Sequence, residues 1–407
     1  MVDQGLGVFT GIVLTILLAR YYGPETLGRY TVAITLASII SVIANLGVQT
    51  TIKRSIARKS RIASFYFRQS IIIRVSLSLP LSLLFCMTFV AILGYDDKSA
   101  LFLFSATLYV FATGIFLLIS GVLTSIHRSD KTLYINLLNK FIFLLVIYGG
   151  LITAMGIEQL IQLVMFVSLL IATIAVWYTS RAVRSVSCGN MPFTRIFYLK
   201  RLIIISLPLT LIAITEYLNL KIDNLLLSIL DSESSVGFYA AAFQILMAFI
   251  LLPLALIKVL FPNLVEVINK NSVSAITRIL WIYTIGFLIY SFIVIIFIIF
   301  LGDFIIVLLY KEKFLASVGF LNYLIIGLPV IILNRLFNYV LVAMRKNNEL
   351  LIITLAGVLV NIILNILLIP KYSIIGCIVA TVVSETCVLV CGLLLYRRQL
   401  NQIAKRN

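Results

Sequence analysis

Glu216, Asn219 and Asp223 recur at i, i+3 and i+7 inside one apolar run, a spacing that sets three polar side chains on one face of a helix. Asn224 falls at the edge of that face, and Lys221 points elsewhere. Glu385 stands near the middle of another apolar run, beside Ser384 and one turn from Thr381. An ionisable group deep in apolar sequence is costly unless paired or hydrated. Glu216, Asp223 and Glu385 are therefore candidates to carry a proton or sodium ion, and the alternative is a hydrogen-bonded network gluing helices together. Arg335, flanked by Asn334 and Asn338, offers a guanidinium fork that suits phosphate, with pairing to Glu385 or Glu216 as its structural alternative. Lys140, two turns into its run near Asn136 and Asn139, either meets an anionic head group or snorkels. Arg74, one turn inside, either snorkels or joins Lys221, Asn219 and Asn334 as a candidate substrate-binding group. Arg20 closes the first run and either anchors the interface, caps the helix or touches substrate. Thr354, Asn361 and Asn365 share a stripe that fits helix packing or a site.

Other chemistry has no residues to do it. His127 is the only histidine, which rules out a zinc or haem site built on several imidazoles. The five cysteines fall in apolar runs or basic loops and suggest no disulfide framework. There is no phosphate-cradling Gly-Lys loop and no Ser/His/Asp set, so no catalytic group, metal or cofactor is expected, nor an ATP-driven pump or a hydrolase.

The elements that must hold these polar groups are membrane helices. The 407-residue chain is 62% hydrophobic with mean hydropathy +1.15. A soluble domain is only about 45–50% apolar. A net charge of +17 would suggest nucleic acid in a soluble protein, but here the basic residues sit in short loops between apolar runs, and no nucleic acid is expected. Twelve runs reach spanning length: 2–19, 31–50, 71–94, 100–123, 133–155, 159–179, 202–230, 237–257, 279–301, 316–343, 350–369 and 373–395. They lack strand-like alternation, so an all-α integral membrane protein is predicted. Most of the 32 basic residues collect in alternate loops, such as those holding Lys53, Arg54 and Arg58, then Arg181 and Arg184, then Lys258, Lys270 and Arg278, and in the tail with Arg397 and Arg398. Acids such as Glu25, Asp231 and Glu233 favour the other side. The positive-inside rule then puts both termini in the cytoplasm. Tyr21, Tyr22, Tyr30, Tyr239 and Tyr372 gather at the outer boundary, as an aromatic belt would.

A repeat organises the runs. The segment from Leu18 to Tyr30, holding Gly23-Pro24-Glu25 and Gly28, returns weakly around Asp231 to Tyr239. Gly28 matches Gly237, Tyr30 matches Tyr239 and Ala33 matches Ala242, each 209 positions on. Two homologous six-helix halves follow, 1–185 and 202–407 joined by a linker at 186–201, a plan common among transporters. The same register makes the first run about eight residues shorter than its counterpart at Leu202. Either the natural start lies upstream or this copy has lost the opening of its first helix.

Leu18-Ala19-Arg20-Tyr21-Tyr22-Gly23-Pro24-Glu25 with Gly28 and Tyr30 resembles the first outer turn of bacterial polysaccharide flippases of the Wzx type. Asp3-Gln4-Gly5-Leu6, Asp223 with Gly237-Phe238-Tyr239-Ala240-Ala241-Ala242, Leu260-Phe261-Pro262 and Leu309-Tyr310-Lys311-Glu312-Lys313-Phe314 extend the resemblance over most of the chain. It implies the multidrug/oligosaccharidyl-lipid/polysaccharide exporter (MOP) superfamily, with two six-helix bundles around a central cavity in a bacterial inner membrane. It further implies an undecaprenyl-diphosphate-linked oligosaccharide as substrate, carried to the periplasmic leaflet for O-antigen or capsule and driven by an ion gradient. Membrane lipids, a polysaccharide polymerase and chain-length proteins would be its other partners. A drug/cation antiporter of the same superfamily is the main rival, although its cavity should be dominated by acids. A membrane polysaccharide polymerase would need a large outer loop, and a non-transporting scaffold would not need buried charges.

Overall fold

The computed structural model describes residues 2–44, 56, 63–93, 96–184, 211, 214–215, 217–219, 221–270 and 272–404. Among the described residues every regular element is helical, the one open-ended structure that satisfies its own backbone in lipid. The linker 186–201, most of the first basic loop with Lys53, Arg54 and Arg58, and the opening of the seventh run at 202–210 lie outside them.

Helices α1 (Val2–Tyr22) and α2 (Pro24–Ala44) meet at Gly23, whose φ of 86° favours glycine and makes the corner. Pro24 then opens α2, where its missing N–H costs nothing. Helix α3 (Ala63–Ile73) runs through a π turn (Arg74–Ser78) into α4 (Leu79–Leu93). Pro80 explains that turn. Its ring would crowd the Ser76 carbonyl, so the preceding turn widens and the Leu79 N–H reaches back five residues to the Arg74 carbonyl. There follow α5 (Asp97–Ser125), α6 (Ser129–Ile152) and α7 (Ile157–Arg184). Residues 221–230 are helical and lead to α8 (Glu233–Asn269), α9 (Val273–Tyr310), α10 (Ala316–Ile326), α11 (Leu328–Ala343) and α12 (Asn347–Ala404).

Eight described helices are long and apolar enough to cross a membrane, or nine with α10 and α11, which join at a 45° bend. Helix α12 holds two of the expected runs, because Ser373 is non-helical (φ 51°, ψ −131°) and interrupts it. A Cβ on Gly376 would come within 2.6 Å of the Leu368 carbonyl group, and one on Gly357 within 2.3 Å of Val388 Cγ2. Segments 347–372 and 374–404 therefore pack antiparallel. Each of the twelve runs is represented at least in part.

The helices also overshoot the runs that announced them. Helices α8 and α9 have 37 and 38 residues, which is about 55 Å of helix. Lys258 and Arg278, read as loop residues, sit on these extensions. Hydropathy marks where the apolar sequence ends, but backbone hydrogen bonds continue past that point.

The chain divides into two compact units, one of residues 11–32 with 218–407 and one of 2–10 with 33–217. The core of the latter includes Phe67, Phe111, Phe116, Ile119 and Leu123. In the former, Leu264, Ile276, Leu280, Phe337 and Tyr396 cluster at the end where the basic residues collect.

Within the first of these units the repeated corner packs on its own copy. A Cβ on Gly28 would lie 1.7 Å from the Glu233 carbonyl oxygen, and one on Gly237 1.9 Å from that of Pro24. Glu233 and Gly237 are the repeat counterparts of Pro24 and Gly28, so the contact is reciprocal, as at a two-fold interface. Only glycine leaves room for such an approach. Arg29 Nε adds an ion pair to Glu233 Oε2 at 3.1 Å, partly exposed on both sides and worth no more than about 1 kcal/mol. Arg20 Nε donates to the Leu309 carbonyl at 2.7 Å, and its Nη2 reaches that of Leu308. Arg20 thus caps the C-terminus of α9, where open carbonyls favour a cation.

Candidate functional site

Two carboxyl groups in the first unit lie in its interior, one turn apart along the same pair of helical segments. Glu385 is 4% exposed and accepts from three side chains. Asn219 Nδ2 donates to its Oε1 at 3.3 Å, Arg335 Nη2 pairs with the same oxygen at 3.2 Å, and Asn334 Nδ2 donates to Oε2. Helix α11 carries both Asn334 and Arg335. A Cβ on Gly327, at the α10–α11 bend, would stand 2.7 Å from Val382 Cγ2, so the bend seats α11 directly against α12 beside Glu385. The pair is asymmetric. The Arg335 side chain keeps 25% of its surface, against 5% for Glu385. One end of the ion pair is locked, and the other can reach a ligand.

Asp223 is 3% exposed. The Tyr239 hydroxyl donates to its Oδ2 at 3.1 Å, Thr381 Oγ1 to the same oxygen at 2.7 Å, and Asn365 Nδ2 to Oδ1 at 2.8 Å. Asn365 Nδ2 also donates to Asn361 Oδ1 at 3.0 Å. Among the described residues Asp223 makes no ion pair, and its polar neighbours are neutral. Asn365 Oδ1 and Asn224 Oδ1 are buried with no hydrogen-bond partner among the described residues. A carboxyl group ringed by hydroxyls and amide oxygens has the chemistry to hold a proton or a small cation. Asn219 meets Glu385 as Asp223 meets Thr381, with four residues between rungs on each segment, or about 6 Å of helix.

The remaining predicted residues lie elsewhere. Arg20 caps α9, as above. Lys221 is half-buried on the Asp223 segment, and Glu216 lies outside the described residues. Lys140 is half-buried on α6 and belongs to the other unit, as does Arg74.

Arg74 corrects an expectation. It is 4% exposed and does not snorkel. Its guanidinium lies 5.3 Å from the centre of the Phe111 ring, and Nη2 approaches the Phe111 carbonyl at 3.4 Å. A Cβ on Gly114 would fall 1.6 Å from Nη2, so that glycine opens the notch Arg74 fills. Tyr239 is a second correction. It is 2% exposed and bound to Asp223, not part of an outer aromatic belt. Val236, Tyr239 and Ala242 are all buried and share the inward face of α8, a spacing visible in the sequence. The Asn361/Asn365 stripe supplies partners to Asp223, a role its i,i+4 spacing left open.

Tyr239→Phe removes one donor from a buried carboxyl group, a loss of about 1–3 kcal/mol. The purified variant is expected to unfold at a lower temperature than wild type. An unchanged midpoint would mean that Asp223 does not depend on this hydroxyl.

A family model described as Polysaccharide biosynthesis protein matches residues 2–268, and one described as MatE matches residues 208–367. No curated protein matches the chain by sequence. Among solved structures, an inward-facing multidrug resistance MATE family transporter of the MOP superfamily superposes with a TM-score of 0.76. That match covers 97% of this chain and 95% of the other at 15% identity. Lipid II flippase MurJ in an inward closed conformation gives 0.74, covering 99% and 89% at 16% identity. A MOP superfamily transporter from Pyrococcus furiosus, described as having a binding pocket of reversed polarity, gives 0.64 over 99% and 94% at 16%. At these identities the likeness is one of fold.

Proposed function

This chain belongs to the polysaccharide biosynthesis protein family, and on that premise we propose that it is a MOP-superfamily membrane transporter that flips an undecaprenyl-diphosphate-linked oligosaccharide repeat unit across a bacterial inner membrane for O-antigen or capsule assembly. Both termini face the cytoplasm in this reading, and the duplicated halves 1–185 and 202–407 move by alternating access. Arg335 carries the argument. It is a partly exposed guanidinium held by a buried carboxylate and flanked by amides. A diphosphate presents the same paired oxygens as Glu385 and competes for the same fork. Substrate arrival then exchanges one anionic partner of Arg335 for another, and Glu385 is released to take up a proton.

Asp223 is the second coupling group in this proposal. Thr381 donates to it one turn from Glu385 on the same segment, so loading Asp223 with a proton or sodium ion shifts the element that holds Glu385. Lys140 and Lys221 are assigned supporting roles in attracting the anionic substrate, and Glu216 is proposed as a third coupling group on the sequence spacing it shares with Asn219 and Asp223.

Deleting the gene in a strain lacking other flippases is expected to strand lipid-linked repeat units on the cytoplasmic leaflet and to abolish surface glycan. Unchanged surface glycan would overturn the proposal. The neutral ring around Asp223 suits a drug/cation antiporter equally well. Drug hypersensitivity with intact glycan export on deletion would favour that second reading.

A further inference from the structure

A cavity of about 580 Å³ opens on the first unit, and neither carboxyl group lines it. Its floor is apolar and belongs to the packed core, with Leu280, Phe337, Leu389 and Tyr396 all below 9% exposure. Its rim is different. Ser274, Thr277 and Arg278 stand on the first two turns of α9, followed one turn on by Trp281, which is 66% exposed. Arg278 is exposed and forms no ion pair or hydrogen bond among the described residues, and the cavity lining contains no acid. The volume falls within the range of roughly 300–1,000 Å³ typical of ligand pockets.

Three features fix the class of ligand. Trp281 on the rim and Ile285 one turn beyond it are 66% and 39% exposed on a helix long and apolar enough to span the membrane, so the opening faces hydrocarbon. An apolar floor open to hydrocarbon suits an alkyl chain. The polar rim lies at the end of the unit where Lys270, Arg278, Arg397 and Arg398 collect, which is where lipid head groups meet the protein. An uncompensated guanidinium over an apolar slot, beside a tryptophan of the kind that anchors at the interface, complements a phosphate ester with an acyl tail.

We infer that this cavity is a binding site for an anionic phospholipid of the leaflet at the basic end, with an acyl chain in the Leu280/Phe337/Leu389 slot and the phosphate on Arg278. Arg335 and Glu385 do not line the cavity, and the inference does not depend on what that pair transports. Because the occupant bridges α9, α11 and the 374–404 segment, it ties the entry of α9 to the two segments that carry Arg335 and Glu385.

Native mass spectrometry of the purified full chain tests this with phosphatidylglycerol and phosphatidylcholine offered in equal amounts. Wild type is expected to retain phosphatidylglycerol at least fivefold over phosphatidylcholine, and Arg278→Gln to bring the ratio near one. Arg278 is exposed, so this variant leaves the packing intact, and an unchanged melting midpoint checks that it does. Leu393→Trp, which fills the slot, is expected to lose both lipids while Arg335-dependent export is measured in parallel. Equal retention of the two lipids by wild type would overturn the inference, as would a phosphatidylglycerol preference that survives in Arg278→Gln.

Discussion

Arg335→Ala is expected to reduce glycan export by one to two orders of magnitude, the size of a lost charge-assisted phosphate contact of about 1.5–3 kcal/mol. The variant carries a second cost. Glu385 retains only 5% of its surface and would lose its cation. Breaking a buried pair by removing one partner costs up to about 3–5 kcal/mol, and the partial exposure of Arg335 lowers that figure. Misfolding and lost binding must therefore be told apart. The double variant Arg335→Ala/Glu385→Gln removes the orphaned charge, and Asn219 and Asn334 can still meet the new amide. It is expected to melt within a few degrees of wild type and still fail to export. Glu385→Gln alone frees the fork and is expected to bind diphosphate more tightly while turning over slowly. Arg335→Lys keeps the charge without the fork and should fall between wild type and alanine. Wild-type export by the double variant would remove Arg335 from the substrate path.

Gly28→Ala is expected to open the corner at which Gly28 and Gly237 exchange contacts with Glu233 and Pro24. The added Cβ would fall 1.7 Å from a carbonyl oxygen, and the obstacle is backbone, so no side chain can swing aside. Overpacking of this kind costs about 1–3 kcal/mol. The closed corner would lose about tenfold in population for each 1.4 kcal/mol. A cysteine introduced at Ser234 should then react roughly ten times faster with a membrane-impermeant maleimide, by the same conversion. Gly237→Ala strains the same contact from the other side. The double variant should consequently cost less than the sum of the two, because a corner already forced apart has room for the second methyl. Unchanged labelling in both single variants would show that the corner is not under steric control.

Much of the fold was legible because its determinants are local. Apolar length marked each membrane run, at least in part, and the match of Gly28 to Gly237 announced a duplication whose two copies turn out to touch. The ends of α8 and α9 were not legible, since hydropathy reports solvent and not backbone hydrogen bonding. Ser373 was also hidden. Nothing in its residue type requires a positive φ, and the reversal there is imposed by the packing of 347–372 on 374–404.

The polar groups divide in the same way. The sequence by itself picked out Asp223, Glu385, Arg335, Asn219 and Asn334, because an ionisable or amide group in a membrane-length apolar run is conspicuous wherever it stands. It could not pair them. Asn219 and Glu385 are 166 residues apart, Asp223 and Asn365 142, and Arg335 and Glu385 50. Helical periodicity tells which face a residue occupies and says nothing of which helix that face will meet. That choice was made in three dimensions, where Gly327 let α11 close on α12 and Gly114 let Arg74 turn inward. In an interior without water a polar group must find its partner in the protein, so only the packed helices could decide that Tyr239 serves Asp223 and Arg335 serves Glu385.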